Sequence, residues 1–307
     1  MNIAIVGATG NVGRKILEVL EKKELSIDNL YLLASSRSAG SKINFLGNEH
    51  EVLNLETFDF SKAKITFFAA GGKISEKFAE KAAEHSLVID NSSFYRMDPD
   101  VPLIVPQVNS DHLNNIKKNI IANPNCSTAQ LVIVLKPLHE AFKIKRVVIS
   151  TYQSTSGAGK KPMDELIEQT KDILENKKIS INNFTKQIAF NAIPHIDEFS
   201  DDGYTKEELK MINETKKILD KNIEITATCV RIPVRVSHAE SVNIEFENSI
   251  SINKVVEILK NSEGCEVLDK REDGGYITPT DAEGKYCLLY TSPSPRDLST
   301  SRMPSSA

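Results

Sequence analysis

The chain has 307 residues, of which 40% are hydrophobic and 26% charged, and its formal net charge is −4. This length allows one large domain or two ordinary ones. The mildly acidic balance gives no electrostatic reason to expect nucleic acid or a membrane surface as a partner, and no apolar run approaches the roughly 18 residues of a membrane span. A strand-like run begins at residue 2 and the four cysteines are scattered, so we expect a cytoplasmic protein without signal peptide or disulfide framework.

The N-terminal part of the chain alternates strand-like and helix-like segments. "NIAIV" is an apolar run that ends at glycines, and apolar residues then recur at helical spacing in "NVGRKILEVL". "NLYLLAS", "KITFF", "LVIDNS" and "NIIAN" read as further strands, with the helical pattern "KISEKFAEKAAEH" among them. This alternation predicts βαβ units and a parallel sheet, an α/β fold of the Rossmann type, which we assign to residues 1–125.

A glycine-rich turn joins the first strand to the first helix. "GATGNVG" spaces its glycines as G-x-x-G-x-x-G. Glycines there allow a tight turn and a close approach of backbone N–H groups to a pyrophosphate at a helix N-terminus. A glycine-rich surface turn without a ligand is the simpler alternative. The predicted cofactor-binding residues of this turn are Gly7, Thr9, Gly10, Asn11, Val12 and Gly13.

The end of the second strand bears on the choice of dinucleotide. An NAD-binding protein usually has Asp or Glu there for the ribose 2′-hydroxyl, whereas a 2′-phosphate requires a cation. The strand ends in "ASSRSAG", which contains no carboxylate. We therefore expect NADP(H), bound through Ser35, Ser36, Arg37 and Ser38, although Arg37 alone is also compatible with an ordinary loop arginine.

The lengths of the predicted strands and helices change after residue 125. Longer strands ("RVVISTYQS", "ITATCVRIP", "SVNIEFE") are separated by long polar helices ("KPMDELIEQTKDILEN", "TKEELKMINETKKILD"). We assign residues 126–286 to a second, α+β domain with an antiparallel or mixed sheet. Residues 287–307 are rich in Ser, Thr and Pro and lose the apolar period, so we expect a disordered, non-native tail.

Cys126 lies where the Asn-Pro-Asn turn gives way to a helical pattern. The N-terminus of a helix favours the thiolate, which is the nucleophilic form of cysteine. Backbone N–H groups near such a residue can also stabilise an oxyanion. A small buried core residue is the commoner fate of a cysteine outside a disulfide. The position thus makes Cys126 a candidate nucleophile.

Several motifs occur in one order with consistent spacing: "GATGNVG", "LASSRSAG", "VIDNSSFYRMDPDVPLIVPQVN", "NPNCSTAQL", "TYQSTSGAG" and "ATCVRIPVRVSHAESVNIEF". With these motifs the chain resembles the aspartate-β-semialdehyde dehydrogenase family, bacterial-type branch, from residue 2 to about residue 286. The resemblance implies a Rossmann-type domain followed by a catalytic and dimerisation domain like that of glyceraldehyde-3-phosphate dehydrogenase. It also implies NADPH-dependent conversion of 4-phospho-L-aspartate to L-aspartate-4-semialdehyde and inorganic phosphate, for lysine, threonine, methionine, isoleucine and diaminopimelate biosynthesis. The expected assembly is a homodimer, with a tetramer as the alternative.

The resemblance assigns roles to individual residues. It implies that Cys126 is the nucleophile that carries the acyl group as a thioester, that Gln153 orients this intermediate, and that His238 is the acid/base. Arg231 would bind the α-carboxylate as a planar fork, and Glu207 the ammonium group. The phosphate would be held by Arg96, Asn125 and Lys210. The nicotinamide side of the cofactor would meet Ser156, Gly157 and Gly159.

Simpler interpretations of single residues stay open at this point. His238 is compatible with a structural histidine between strands, and Glu207 with Lys210 is compatible with an exposed i,i+3 pair. Arg231 is harder to explain structurally, because burial of a lone guanidinium is costly. No Cys/His spacing suggests a metal site.

Two other functions also stay open, an enzyme like N-acetyl-γ-glutamyl-phosphate reductase and a non-catalytic NADP-binding sensor. "NPNCST" and the Arg-x6-His pair argue against the first, and the combination of Cys126, Gln153, Arg231 and His238 is unnecessary for the second. "CLLYTSPSPRDLSTSRMPSSA" does not match the C-terminal segment of the family. We therefore expect a chain truncated there, with an incomplete cofactor pocket and uncertain activity.

Overall fold

The computed structural model describes residues 1–23, 25–270, 272–285 and the backbone of 288–290. The chain divides into two compact units, Met1–Pro124 and Asn125–Ala307. This division falls one residue before the boundary expected from the sequence.

The first unit contains a sheet whose described strands run in the order β3-β4-β2-β1-β5-β6-β7. All neighbours are parallel except β3 and β4, which pair antiparallel. The strands are β1 Asn2–Val6, β2 Asn29–Ala34, β3 Lys42–Phe45, β4 Asn48–Asn54, β5 Ile65–Phe68, β6 Leu87–Asp90 and β7 Ile120–Ala122, and the helices are α1 Asn11–Lys22, α2 Gly72–Ala83 and the short α3 Pro106–Asn109.

This arrangement confirms the predicted Rossmann-type α/β fold. β1 lies inside the sheet, and its residues Ile3, Ala4, Ile5 and Val6 are almost completely buried, as expected for a parallel strand covered on both faces. The sequence did not predict the β3–β4 hairpin. Its two-residue turn, Leu46 and Gly47, has positive φ at both positions, the backbone that joins antiparallel strands without splaying them.

The second unit is built on a three-stranded sheet in the order β10-β8-β9. β8 pairs antiparallel with β10 and parallel with β9, so the prediction of a mixed sheet is confirmed. The strands of this sheet are β8 Ile144–Gln153, β9 Glu224–Arg231 and β10 Ala239–Phe246, and a separate two-stranded sheet contains β11 Cys265–Val267 and β12 Leu288–Tyr290. The helices of the unit are α4 Cys126–Phe142, α5 Lys160–Leu174, α6 Lys206–Ile218, α7 Ile252–Lys260 and the short α8 Pro279–Ala282.

One face of this sheet is covered by α4 and α6. Alternate residues of β8, among them Val147 and Ile149, pack with Leu131 and Leu135 of α4 and with Met211 of α6 in one buried cluster. Because side chains alternate along a strand, the same face continues to Gln153 at the end of β8, which pairs with Arg231 at the end of β9. Two polar side chains are thereby placed at one end of an apolar core.

The segment expected to be disordered begins at residue 287. Within it, Leu288–Tyr290 form β12, which pairs parallel with β11, so the expectation of disorder does not apply to these three residues. Residues 291–307 lie outside the described part of the chain. Among the helices that the structure does describe, none combines the length and the apolar character needed to cross a bilayer.

Candidate active site

Cys126 is the first residue of α4 and is exposed. The preceding residue, Asn125, caps the helix, because its Oδ1 accepts hydrogen bonds from the backbone N–H groups of Ser127 and Thr128 at 2.9 and 3.4 Å. The cap fixes where the helix begins, so Cys126 lies in its first turn, where the partial positive charge of the N-terminus favours a thiolate. The alternative that Cys126 is a buried core residue is therefore wrong.

Glu207 links three candidate residues that are far apart in the sequence. Its Oε1 accepts from Asn125 Nδ2 at 2.9 Å and from Gln153 Nε2 at 3.2 Å, and its Oε2 lies 3.2 Å from Lys210 Nζ. Burial opposes ionisation of this carboxyl, but Lys210 and the two amide donors outweigh burial and hold the pKa of Glu207 below its ordinary value. Glu207 is only 6% exposed, so the alternative of an exposed i,i+3 pair with Lys210 is wrong.

Lys210 lies between two carboxylates. Besides Glu207, it donates to Asp197 Oδ2 at 2.7 Å. Burial opposes the charge on the lysine, but Glu207 and Asp197 outweigh it and raise the pKa of Lys210. Asp197 itself has φ of 71°, a left-handed backbone that is uncommon outside glycine. The ammonium group is therefore held in a fixed and fully charged state.

Arg231 is only 6% exposed, so its positively charged side chain is buried in the second unit. Its Nη1 donates to the backbone carbonyl of Ser154 at 2.6 Å. Burial lowers the pKa of Arg231, and the negative charges of Glu207 and Cys126 oppose this effect. An arginine stays protonated under such a shift, so the site contains a desolvated positive charge within electrostatic reach of the candidate nucleophile.

His238 lies beside the loop that follows β8 and begins with Ser154. Its Nδ1 accepts a hydrogen bond from the backbone N–H of Ser154 at 3.0 Å, and the Ser154 hydroxyl lies 3.1 Å from the same nitrogen. Burial and then the charge of Arg231 lower the pKa of His238 to about 4. Ser237, directly before it, has φ of 71°, in the left-handed region that is uncommon outside glycine.

Gly157 shows how closely this loop approaches the two basic side chains. A Cβ built on Gly157 would lie 3.2 Å from His238 Cε1 and Nε2 and 3.3 Å from Arg231 Nη1. Ser156 donates its backbone N–H to Arg235 O, and its hydroxyl lies 3.0 Å from Ser154 Oγ. Gly159 has φ of 108° and precedes α5. The structure thus brings Cys126, Asn125, Gln153, Gly157, Glu207, Lys210, Arg231 and His238 together.

The predicted pyrophosphate turn lies in the first unit. Gly7 has φ of 86°, and a Cβ on Gly13 would meet Gly7 O at 2.3 Å, so both positions require glycine. Gly10 is the N-cap of α1 and provides no side-chain cap, which leaves the N-terminal N–H groups available to an anion. Thr9, Asn11 and Val12 are exposed beside it. These features fit a dinucleotide.

The residues expected at the adenosine ribose follow β2. Ser35, Ser36 and Arg37 are exposed, and Ser38 donates its backbone N–H to Ser35 O. Arg96 also belongs to the first unit and is 8% exposed. Its guanidinium donates to the backbone carbonyls of Asn123 and Asn91 at 2.9 and 3.1 Å.

Four supporting residues were not predicted. Ser154 contacts His238 through its backbone N–H, and Asp197, whose backbone is left-handed, contacts Lys210 through its carboxylate. Glu214 accepts the backbone N–H of Asn125 at 2.6 Å, and Glu208 accepts that of Cys229 at 3.0 Å. Two signals were available in the sequence. T-x-x-E opens α6 as a capping box that includes Glu208, and Glu214 follows Glu207 by seven residues on one helix face.

Within the described residues, no group of three or more His, Cys, Asp or Glu side chains could hold a metal ion.

Two family models match the chain. Residues 2–116 match the NAD binding domain of semialdehyde dehydrogenase, and residues 135–289 match its dimerisation domain. The aspartate-semialdehyde dehydrogenase of Aquifex aeolicus (strain VF5) is 51% identical over 289 residues, which are 92% of this chain and 85% of the relative.

Two solved structures are also similar. The structure of aspartate semialdehyde dehydrogenase II of Vibrio cholerae, complexed with ASA, has a TM-score of 0.91 and 46% sequence identity. The match covers 94% of this chain and 86% of the Vibrio cholerae chain. The aspartate semialdehyde dehydrogenase of Candida albicans, with NADP, has a TM-score of 0.70 and 25% identity, with coverages of 92% and 85%.

The matches to the NAD binding domain and to the dimerisation domain of semialdehyde dehydrogenase, with an exposed cysteine at a helix N-terminus between the two matched ranges, define a semialdehyde dehydrogenase, an oxidoreductase. The identity over most of the length of its relatives is more specific. The chain belongs to the aspartate-semialdehyde dehydrogenase family.

Proposed function

We propose that this protein reduces 4-phospho-L-aspartate to L-aspartate-4-semialdehyde with NADPH, through a thioester on Cys126, and releases inorganic phosphate. The observation that carries the proposal is the hydrogen-bonded group around Glu207, which joins Asn125, Gln153 and Lys210 directly beside the exposed thiol. An ion-pair network that only stabilises the fold does not require an adjacent exposed cysteine. An enzyme that forms a covalent intermediate does require an accessible nucleophile.

The proposed first step is attack of the Cys126 thiolate on the acyl carbon. The C–S bond forms, the bond between the acyl carbon and the phosphate oxygen breaks, and phosphate leaves with the bonding electron pair. The N-terminus of α4 and the charge of Arg231 favour the thiolate. Gln153, whose amide donates to Glu207, would orient the acyl group.

The substrate has three charged groups, and the site offers a partner for each. Arg231 is a buried guanidinium that would bind the α-carboxylate, and Glu207 is an ionised carboxylate that would bind the ammonium group. Lys210 and Asn125 would hold the phosphate, and we propose the same role for Arg96. A buried, planar guanidinium binds a carboxylate better than a flexible lysine does, because fewer side-chain conformations are lost on binding.

A nicotinamide dinucleotide, when bound, supplies the hydride that reduces the acyl group to the aldehyde. Gly7, Gly10 and Gly13 would hold its pyrophosphate, and Ser156, Gly157 and Gly159 would meet its nicotinamide side. We propose NADP(H) rather than NAD(H), because the turn after β2 presents hydroxyls and Arg37 and lacks a carboxylate. The similarity to a structure containing NADP supports this choice.

We further propose that the enzyme is a homodimer, with a tetramer as the larger alternative. The match of residues 135–289 to a dimerisation domain supports self-association. The reaction would supply the semialdehyde from which lysine, threonine, methionine, isoleucine and diaminopimelate are made.

The experiment is a steady-state assay in the reverse direction, with L-aspartate-4-semialdehyde, phosphate and NADP⁺. N-acetyl-γ-glutamyl semialdehyde serves as the competing substrate, and Cys126→Ser as the matched inactive variant. We expect turnover with the aspartyl substrate alone and a loss of at least about 10³-fold in kcat for Cys126→Ser. Turnover that survives in Cys126→Ser would overturn the thioester.

A further inference from the structure

Asp197 lies in the loop that leads from Ile193 to α6, and this loop is anchored on both sides. Ile193 and Arg231, the last residue of β9, exchange both backbone hydrogen bonds, at 2.9 and 2.8 Å. The backbone N–H of Lys206, the first residue of α6, donates to Glu198 O at 2.8 Å. Within the loop, Asp197 Oδ1 accepts the backbone N–H of Glu198 at 2.9 Å. The carboxylate of Asp197 is therefore held in place, and its second oxygen, Oδ2, can bind another donor.

That donor is Lys210, which is shared between two carboxylates. Its Nζ lies 2.7 Å from Asp197 Oδ2 and 3.2 Å from Glu207 Oε2. The side chains of Asp197 and Glu207 are 34% and 7% exposed, so Asp197 holds the lysine on the solvent side and Glu207 on the buried side. Burial opposes ionisation of Asp197, but Lys210 outweighs burial and lowers the pKa of Asp197. Both carboxylates are therefore ionised, and the three groups together have one excess negative charge.

The proposed function gives Glu207 a second cation, the ammonium group of the substrate. Without Asp197, Lys210 and this ammonium group would share a single carboxylate, and one positive charge would be unbalanced. Glu207 is largely shielded from water, and an unbalanced charge is costly where water is excluded. With Asp197 present, two cations meet two anions. The excess negative charge of the three groups is the one that the ammonium group of the substrate would neutralise.

We propose that Asp197 is a positioning residue, which balances the charge of Lys210 and thereby keeps Glu207 available to the ammonium group of the substrate. This inference rests on the proposed function and adds a residue to its site. Since Asp197 places a negative charge beside Lys210, it also weakens the attraction of this lysine for phosphate. Asp197 therefore has opposite effects on the two substrates of the reverse reaction. It strengthens the binding of the semialdehyde and weakens the binding of phosphate.

The first test is the reverse assay with Asp197→Asn. Asparagine has the same size, can still accept a hydrogen bond from Lys210 and tolerates a left-handed backbone, so the change removes the charge and little else. We expect the KM for L-aspartate-4-semialdehyde to rise about 3- to 10-fold and the KM for phosphate to fall about 3-fold, because a unit charge acts on both over a few ångströms. A merely structural role would raise both. A KM for the semialdehyde that does not rise, or a KM for phosphate that does not fall, would overturn the proposal.

Glu198→Gln is the matched control for this experiment. It removes the same charge from the neighbouring residue, whose partner is Lys206 and whose side chain is 76% exposed. Both KM values should stay within about twofold of the wild type, because solvent screens exposed ion pairs. Shifts equal to those of Asp197→Asn would show that any charge in this loop acts alike, which would contradict the assignment to Asp197.

The second test does not depend on turnover. Only the unprotonated amine of a lysine reacts with acetic anhydride, and mass spectrometry of the peptide that contains Lys210 measures this reaction. At pH 9, Asp197→Asn should raise the rate at Lys210 about 3- to 10-fold, since the pKa of a lysine falls when a neighbouring negative charge is removed. Glu198→Gln should leave the rate unchanged. An unchanged rate in Asp197→Asn would refute this inference alone, whereas absence of turnover with the aspartyl substrate would refute the proposed function, whatever the rate at Lys210.

Discussion

Gly157→Ala is a small perturbation with a large expected effect on catalysis. The added methyl group would lie 3.2 Å from two ring atoms of His238 and 3.3 Å from Arg231 Nη1, whereas ordinary contacts begin at 3.4 Å. Both side chains must move by a few tenths of an ångström or more. Gly157 is not in the left-handed region, so the backbone accepts alanine and the strain falls on these two side chains.

A misplacement of about 1 Å in a catalytic group can reduce the rate about 10²-fold, so we expect kcat/KM to fall about 10- to 100-fold, which is roughly 1.4 to 2.8 kcal/mol. Gly157 itself is exposed, and the free energy of unfolding should change by no more than about 1 kcal/mol, the lower end for overpacking.

Steady-state kinetics of Gly157→Ala, His238→Ala and the double variant test whether the loss in Gly157→Ala comes from displacement of the imidazole. If the methyl group acts by displacing the imidazole, the loss of kcat/KM in the double variant should be smaller than the sum of the two single losses. The coupling free energy should be at least about 1 kcal/mol. Strictly additive losses, or an effect confined to the KM for NADPH, would refute the reasoning from the contact distances.

Three further variants test the charges of the site. Glu207→Gln keeps the size of the side chain and removes its charge. Its KM for the semialdehyde in the reverse assay should rise at least about tenfold, and an unchanged KM would rule out the ammonium contact. Arg37→Ala should raise the KM for NADP⁺ about tenfold and leave the KM for NAD⁺ unchanged, whereas equal changes would contradict 2′-phosphate recognition. His238 has a folded pKa of about 4 against an ordinary 6.5. The unfolded chain therefore binds the proton first as the pH falls, and the stabilisation present above pH 6.5 is progressively lost toward pH 4. Urea unfolding should show the wild type losing about 2 kcal/mol more than His238→Gln between pH 7.5 and pH 5, and parallel pH dependences would argue against a buried neutral ring.

Much of the fold could be predicted because its signals are local. The first strand, the glycine turn and α1 each have a short pattern of their own, and the change near residue 125 marks the boundary between units. The β3–β4 hairpin was missed because "KINFLGNEHEVLN" is largely polar, and its turn, Leu46-Gly47, is not one of the dipeptides that mark such turns strongly.

The candidate site could be predicted as a set of residue types, but its geometry could not. Cys126, Gln153, Glu207 and His238 occur in four separate segments. Three of them lie in the family motifs, and the resemblance implies the role of Glu207. What joins them is the pairing register of β8 and β9 and the cap of α6, which depend on the whole sheet and core. The contact of Ser154 with His238 rests on a backbone N–H, and every residue except proline carries one.

The most direct test of the proposed chemistry is mass spectrometry of the protein after incubation with 4-phospho-L-aspartate in the absence of NADPH. The thioester mechanism predicts release of phosphate in one burst and a single aspartyl group on the peptide that contains Cys126, with neither signal in Cys126→Ser. An unmodified Cys126, or an aspartyl group on another residue, would contradict the mechanism.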